Sequence, residues 1–210
     1  MKTFDIITEA DARSLPRGET VTLARRGHVT PLAEDTLRER RITVVRAGQA
    51  PADAEVLVPK DDIRTLAIAS DHTGIALRQA LAALLRSRGL TVQDLGTHTS
   101  DPVDYPDVAQ SVAVLVARGD VDAGIVIDGA GIGSAIAANK VHGVRAVMAT
   151  SEKIARYSRE HNGANVLALG ATLLSQAEAE GIVGVWLGTA MREPRYIRRL
   201  AKIRQIEQDQ

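Results

Sequence analysis

The sequence predicts an α/β protein: a doubly wound, five-stranded parallel sheet with helices on both faces, preceded by a small N-terminal extension. Short apolar runs at 66–70, 90–95, 123–127, 144–149 and 166–169 alternate with segments of helical periodicity. Strands buried on both faces read as continuous apolar runs, and alternating strand and helix gives a parallel sheet wound by right-handed crossovers. The first 65 residues lack that regularity and include a Gly-, Pro- and Ala-rich stretch at 47–53, which reads as a linker. The chain therefore divides into an extension, 1–65, and a main domain, 66–210.

In the extension, Asp5–Ile7 reads as a short strand. Thr8 reads as the N-cap of a brief helix, with Glu9 and Asp11 in its first turn. Leu15-Pro16-Arg17-Gly18 is a turn, Val21–Leu23 a second strand and Arg25–His28 a loop. Thr30-Pro31 opens a helix, with a cap and then proline at the first helical position. It ends in the cations Arg38, Arg40 and Arg41, which suit a helix C-terminus, before a strand at Ile42–Val45.

In the main domain, strand Leu66–Ser70 precedes a helix carrying Leu77, Leu81, Leu84 and Leu85 at helical spacing and stopped by Gly89. Strand Leu90–Leu95 and a helix from Pro106 to Arg118 follow. Strand Ala123–Ile127 then runs into a glycine loop and a small-residue helix at Ala135–Lys140. Strand Val144–Ala149 leads to a helix capped by Ser151, and strand Val166–Leu169 to a helix capped by Ser175. A charged helix starts near Pro194, with Tyr196, Leu200 and Ile203 on a stripe suited to a second subunit. The expected strand order is 2-1-3-4-5.

Composition narrows the function. Of 210 residues, 26 are basic and 26 acidic, so nothing marks nucleic acid or an anionic membrane as the main partner. There is no cysteine, which removes disulfides and thiolate chemistry. The N-terminus has no apolar signal core and no apolar run is long enough to span a bilayer, so a cytoplasmic protein is expected. The five histidines, at 28, 72, 98, 142 and 161, show no metal-ligand spacing.

The chemistry concentrates at Asp128-Gly129-Ala130-Gly131-Ile132-Gly133. A glycine loop between a strand and a helix lets backbone N–H groups approach an anion closely. Asp128 is either the capping acid of a tight turn or a carboxylate facing a ligand at the sheet edge. A dinucleotide-binding loop fits poorly. Ser134 stands where its third glycine belongs, the following helix is short, and the motif follows the third strand rather than the first. Asp71 and His72, Asp104-Tyr105, Glu160-His161-Asn162 and the arginines 195, 198 and 199 would bring acid, imidazole, amide and guanidinium to the same edge.

Those motifs carry a resemblance. Ser70-Asp71-His72-Thr73-Gly74, Asp94-Leu95-Gly96-Thr97, Asp104-Tyr105-Pro106, Gly129–Gly133, Ala137–Lys140, Gly143–Ala146, Arg159–Asn162, Asn165–Gly170 and Arg195 with Arg199 are similar, in order, to the type B ribose-5-phosphate isomerases and the related galactose-6-phosphate isomerase subunits. The likeness covers about 66–207. It implies a Rossmann-like αβα sandwich and aldose–ketose isomerisation of a sugar phosphate through an enediolate, ribose 5-phosphate to ribulose 5-phosphate above all. It also implies no metal or other cofactor, and a homodimer or tetramer with sites at the dimer interface. Carried over by position, Asp128 is the base, His161 opens the sugar ring and Asn162 is an oxyanion donor. The backbone of Gly129, Ala130, Gly131 and Gly133 cradles the oxyanion. Asp71 holds sugar hydroxyls, Tyr105 lines the site, and His72, Arg195 and Arg199 face phosphate, with His161 serving the partner's pocket.

The sequence departs from that pattern at chemical positions. Asp128 replaces a cysteine, Ala130 a hydroxyl residue, and Thr172 a phosphate-binding arginine for which Arg192 or Arg198 could compensate. The alternatives are an isomerase of another four- to six-carbon sugar phosphate, or an inactive relative serving as a scaffold. Val29–Val45 resembles short N-terminal segments on enzymes of bacterial ethanolamine- and propanediol-type microcompartments, which would suit the scaffold reading.

Overall fold

The computed structural model describes residues 3–46 and 57–209. These fall into two compact units, divided between residues 56 and 57. The linker read at 47–53 lies outside the described residues.

The first unit is a β–α–β–α–β run: β1 Thr3–Ile7, α1 Glu9–Ser14, β2 Thr20–Val29, α2 Pro31–Glu39 and β3 Thr43–Arg46. Its three strands are parallel in the order β1-β2-β3. Thr8 and Asp11 form a reciprocal capping box on α1. The residues read as a loop, Arg25–His28, lie inside β2. Phe4 pairs with Leu23 but Ile6 with His28, so three extra residues of β2 are taken up as an irregularity. Pairing of His28 and Val29 with Ile6 and Ile7 of β1 returns that stretch to the sheet, which a single-strand pattern cannot show. Ile7, Ala12, Leu15, Val21, Leu23, Ala33, Leu37 and Ile42 are buried together. The extension therefore has a core of its own.

The second unit contains β4 Thr65–Ser70, α3 Ile75–Ser87, β5 Thr91–Asp94, α4 Tyr105–Arg118, β6 Ala123–Asp128, α5 Ile132–Ala138, β7 Ala146–Met148, α6 Glu152–Glu160, β8 Val166–Gly170, α7 Gln176–Leu187 and α8 Pro194–Gln208. All five strands are parallel. Their order is β5-β4-β6-β8-β7, so the last two are exchanged relative to the expected order. The reason is burial. β8 is apolar and buried throughout and takes an inner place, whereas β7 has three residues and is only partly buried. The Asn139 side chain covers the β7 edge, accepting from the Ala146 amide at 2.8 Å and donating to its carbonyl at 2.8 Å.

Alternation along the strands divides the core. Leu66, Ile68, Ile125, Ile127, Leu167 and Leu169 face α3, α6 and α7, where Trp186 is fully buried. Ala67, Ala69, Val126, Val166 and Ala168 face α4 and α5. The second face is built of smaller residues, so its helices lie closer. A Cβ on Gly124 would overlap Val112 of α4. Next to this core, Arg78 is fully buried, its Nε 3.1 Å from Asp94 Oδ1, and its guanidinium occupies the place of a Gly96 side chain.

The approach to β4 is fastened along the N-terminal edge of the sheet. Arg145 donates to the Leu57 carbonyl at 3.0 Å and Arg159 to that of Lys60 at 2.9 Å. Burial lowers the Arg159 guanidinium to about 10, which leaves it charged at neutral pH. Asp122 accepts from Lys60, from the Arg64 and Thr65 amides and from the Thr65 hydroxyl. Burial works to raise its carboxyl, but these bonds outweigh it, and Asp122 lies far below the usual carboxylate range.

Candidate active site

The site begins where β6 ends. Asp128 is the last residue of the strand and is buried. Its Oδ1 accepts from the amides of Ala130, at 2.8 Å, and Gly131; its Oδ2 accepts from Ser134 N at 2.8 Å. The Ala130 and Gly131 amides, expected on a substrate oxygen, thus point at the carboxylate of their own loop. Two positions in the loop must be glycine. Gly131 has φ +79°, and a Cβ there would lie 2.8 Å from the Leu169 carbonyl carbon. A Cβ on Gly133 would lie 2.6 Å from the ring of Tyr105 at the start of α4. Tyr105 therefore rests directly on the loop.

Neighbouring strands complete this half. After β4, Asp71 is buried, and its Oδ1 accepts from the Thr73 amide at 2.9 Å and hydroxyl at 2.6 Å. Its Oδ2 accepts no hydrogen bond from the described residues. His72 Nδ1 accepts from Val103 N at 3.4 Å, tying the β5–α4 loop to the β4–α3 turn. After β8, Thr172 donates from its hydroxyl to the Gly129 carbonyl at 2.6 Å. The residue in the position of the missing arginine is thus a tie for the glycine loop.

The other expected residues lie at the opposite edge. Asp128 is level with Gly170 at the end of β8, and Gly124 with Val166 at its start. His161 and Asn162 precede Val166, so at about 3.3 Å per residue the strand sets them about 13 Å or more from Asp128. Parallel strands put every β→α loop on one edge and every α→β loop on the other. His161 belongs to an α→β loop, so the expectation of one shared edge is corrected. His161 stacks on Tyr157 at 4.6 Å and meets the tilted ring of Tyr196 at 4.5 Å between centroids. Arg195 and Arg199 lie over the Tyr196 ring at 4.7 and 5.5 Å. Asn162 lines a cleft of about 320 Å³ with Asn139, Arg145, Ile203, Ile206 and Glu207. Tyr196 and Leu200, read as a stripe for a second subunit, pack on this chain's own Leu57 and Met191, while Ile203 is exposed.

These two groups of residues sit on a scaffold shared with known enzymes. The family model described as ribose/galactose isomerase matches residues 66–203. The chain belongs to the ribose/galactose isomerase family. Ribose-5-phosphate isomerase B of Escherichia coli K12 is 42% identical over 146 residues, covering 70% of this chain and 98% of that protein. A putative sugar phosphate isomerase of Bacillus subtilis is 40% identical, covering 68% and 97%. Among solved structures, ribose-5-phosphate isomerase B of Clostridium thermocellum is similar at 46% identity and a TM-score of 0.68, covering 69% of this chain and 98% of that one. The Mycoplasma genitalium enzyme, solved with bound ribulose 5-phosphate, is similar at 40% identity and a TM-score of 0.68, covering 70% and 97%. The match to the isomerase family begins at residue 66, so the first unit lies outside it.

Within this isomerase scaffold, sequence reasoning missed Tyr157, which stacks on His161, and the local roles of Thr73, which orients Asp71, and Thr172, which ties the glycine loop. For Tyr157 a signal was present, since it lies four residues before His161 on one helix, where side chains meet. Among the described residues no helix is long and apolar enough to cross a membrane.

Proposed function

We propose that the protein is a cytoplasmic aldose–ketose isomerase that interconverts ribose 5-phosphate and ribulose 5-phosphate. The observation that carries this is the pair of half-sites at opposite edges of an isomerase scaffold. One holds a buried carboxylate, a second acid and a tyrosine beside a glycine loop; the other holds an imidazole, an amide and two guanidinium groups. Neither half suffices for the reaction. A two-fold homodimer that sets the Asp128 edge of one subunit against the His161 edge of the other supplies both. Exposed Ile132 and Ile136 on α5, and Ile203 and Ile206 on α8, are apolar surface suited to such a contact.

In this reading His161 opens the furanose and Asp128 moves the proton between C2 and C1. A carboxylate has about four lone-pair sites, and three are taken here by backbone amides, so Asp128 Oδ2 keeps one for the proton. The Ala130 and Gly131 amides fix the base, and the developing oxyanion is met by Asn162 and by the free amides near Gly133. Asp71 receives sugar hydroxyls at its open Oδ2, and Tyr105 closes the site over the loop. His72, Arg195 and Arg199 hold the phosphate, which two guanidinium groups suit.

The test is ketose formation by the purified full chain from a panel of four- to six-carbon aldose phosphates. Ribose 5-phosphate is expected to give the highest kcat/KM, and absence of turnover on every member would refute the proposal.

A further inference from the structure

The His161 ring sits in an aromatic column. Tyr157, one turn earlier on α6, stacks on it with centroids 4.6 Å apart and planes 17° apart. Tyr196, from α8, lies against it at 4.5 Å, tilted by 31°. Two rings with centroids this near the imidazole cannot share one of its faces without overlapping, so they cover opposite faces. Cations lie on the tyrosine rings of the column: Lys153 at 5.8 Å from Tyr157, and Arg195 and Arg199 on Tyr196. Only the edge of the imidazole, which carries both nitrogens, is left open. Glu160 approaches Nε2 no closer than 3.8 Å, beyond hydrogen-bonding distance.

We propose that Tyr157 is a positioning residue for ring opening: together with Tyr196 it fixes the plane of His161, so that the imidazole lone pair points at the anomeric hydroxyl of the cyclic sugar. This rests on the reading of His161 as the ring-opening group. Opening the furanose moves the O1 proton to the imidazole and turns C1–O1 into a carbonyl. The C1–O4 bond breaks and the imidazolium returns that proton, through water, to O4. The accepting lone pair lies in the imidazole plane, so rotation about the Cβ–Cγ bond swings it off target. That torsion is broad for histidine, and no hydrogen bond among the described residues holds either ring nitrogen. Stacking is what restrains it. Tyr196 is 7% exposed and part of a core cluster, whereas Tyr157 is 44% exposed. Tyr157 can therefore be changed without opening the core.

The chemistry of the two sugars separates this role from a general one. Ribulose 5-phosphate cannot close a furanose, because its carbonyl is at C2 and O5 carries the phosphate. Exchange of its C1 proton for deuterium in D2O needs the base and no ring opening. Tyr157→Leu is expected to lower conversion of ribose 5-phosphate about tenfold or more, since small misplacements of catalytic groups cost at least that. It should leave the deuterium exchange, followed by proton NMR, within about twofold. Tyr157→Phe keeps the ring and should retain both rates. Conversion by Tyr157→Leu at the parent rate, or equal loss of conversion and exchange, would overturn the proposal. A parent chain that neither converts nor exchanges would instead bring down the isomerase reading, and this proposal with it.

Discussion

Replacing Asp128 by asparagine separates the capping bonds that the carboxylate makes from the base role proposed for it. The shape is preserved, and the amide oxygen can still accept from Ala130 and Gly131. The NH2 group, however, is then set against the Ser134 amide, which donates to Oδ2 at 2.8 Å. One charge-assisted bond is lost, two become neutral, and a buried N–H is left without an acceptor. A hydrogen bond to a charged group contributes about 1.5–3 kcal/mol, so Asp128→Asn should destabilise by about 2–4 kcal/mol. For a domain of this size that lowers the melting midpoint by roughly 5–15 °C. Loss of the general base should cost about 10²–10⁴ in kcat, with KM for ribose 5-phosphate little changed. The assays are thermal unfolding by circular dichroism and ketose formation well below the variant's midpoint. Full turnover with a lowered midpoint would show that Asp128 only staples the loop. An unchanged midpoint would refute the bonding argument itself.

Mixing Asp128→Asn and His161→Asn chains under conditions that let subunits exchange should restore about a quarter of the parent activity. Random pairing makes half the dimers mixed, and each has one intact site of two; no recovery would place both residues in a single-chain site. Gly131→Ala forces a side chain onto φ +79° and to 2.8 Å from the Leu169 backbone, neither of which can yield. It should cost about 2–4 kcal/mol in urea unfolding, and a parent-like midpoint would contradict that packing. Asp122 has a folded pKa below its ordinary 3.8, so its contribution is complete above that value and is lost as pH falls beneath it. Urea midpoints of the parent should therefore drop more steeply than those of Asp122→Asn on acidification from pH 5 to 3, and parallel profiles would refute the assignment.

Much of the architecture was legible in the residues because it depends on local interactions. Thr8, Ser151 and Ser175 cap their helices through bonds to amides three residues on. The apolar runs of β4, β6 and β8 are buried because parallel strands covered on both faces admit little else. The strand order was not legible in the same way. Nothing within Ala146–Met148 states that it forms an edge, since that follows from β8 having the longer buried run and taking the inner place. Arg25–His28 failed for a related reason, because its place in β2 depends on pairing with β1, which lies elsewhere in the sequence.

The candidate site divides along the same line. The sequence alone determined which side chains are candidates for the chemistry, since acid, imidazole, amide and guanidinium are properties of side chains and their motif spacing. It also left two readings of Asp128, turn-capping acid or ligand-facing carboxylate, and tertiary structure shows the capping bonds directly while leaving one lone pair open. Tertiary structure alone decided that His161 and Asp128 stand at opposite edges of one sheet, and that His161 lies between two tyrosines from different helices. These are non-local facts. Strand direction and helix packing place residues in space only once the whole sheet is assembled, and no window of sequence contains both partners of such a contact.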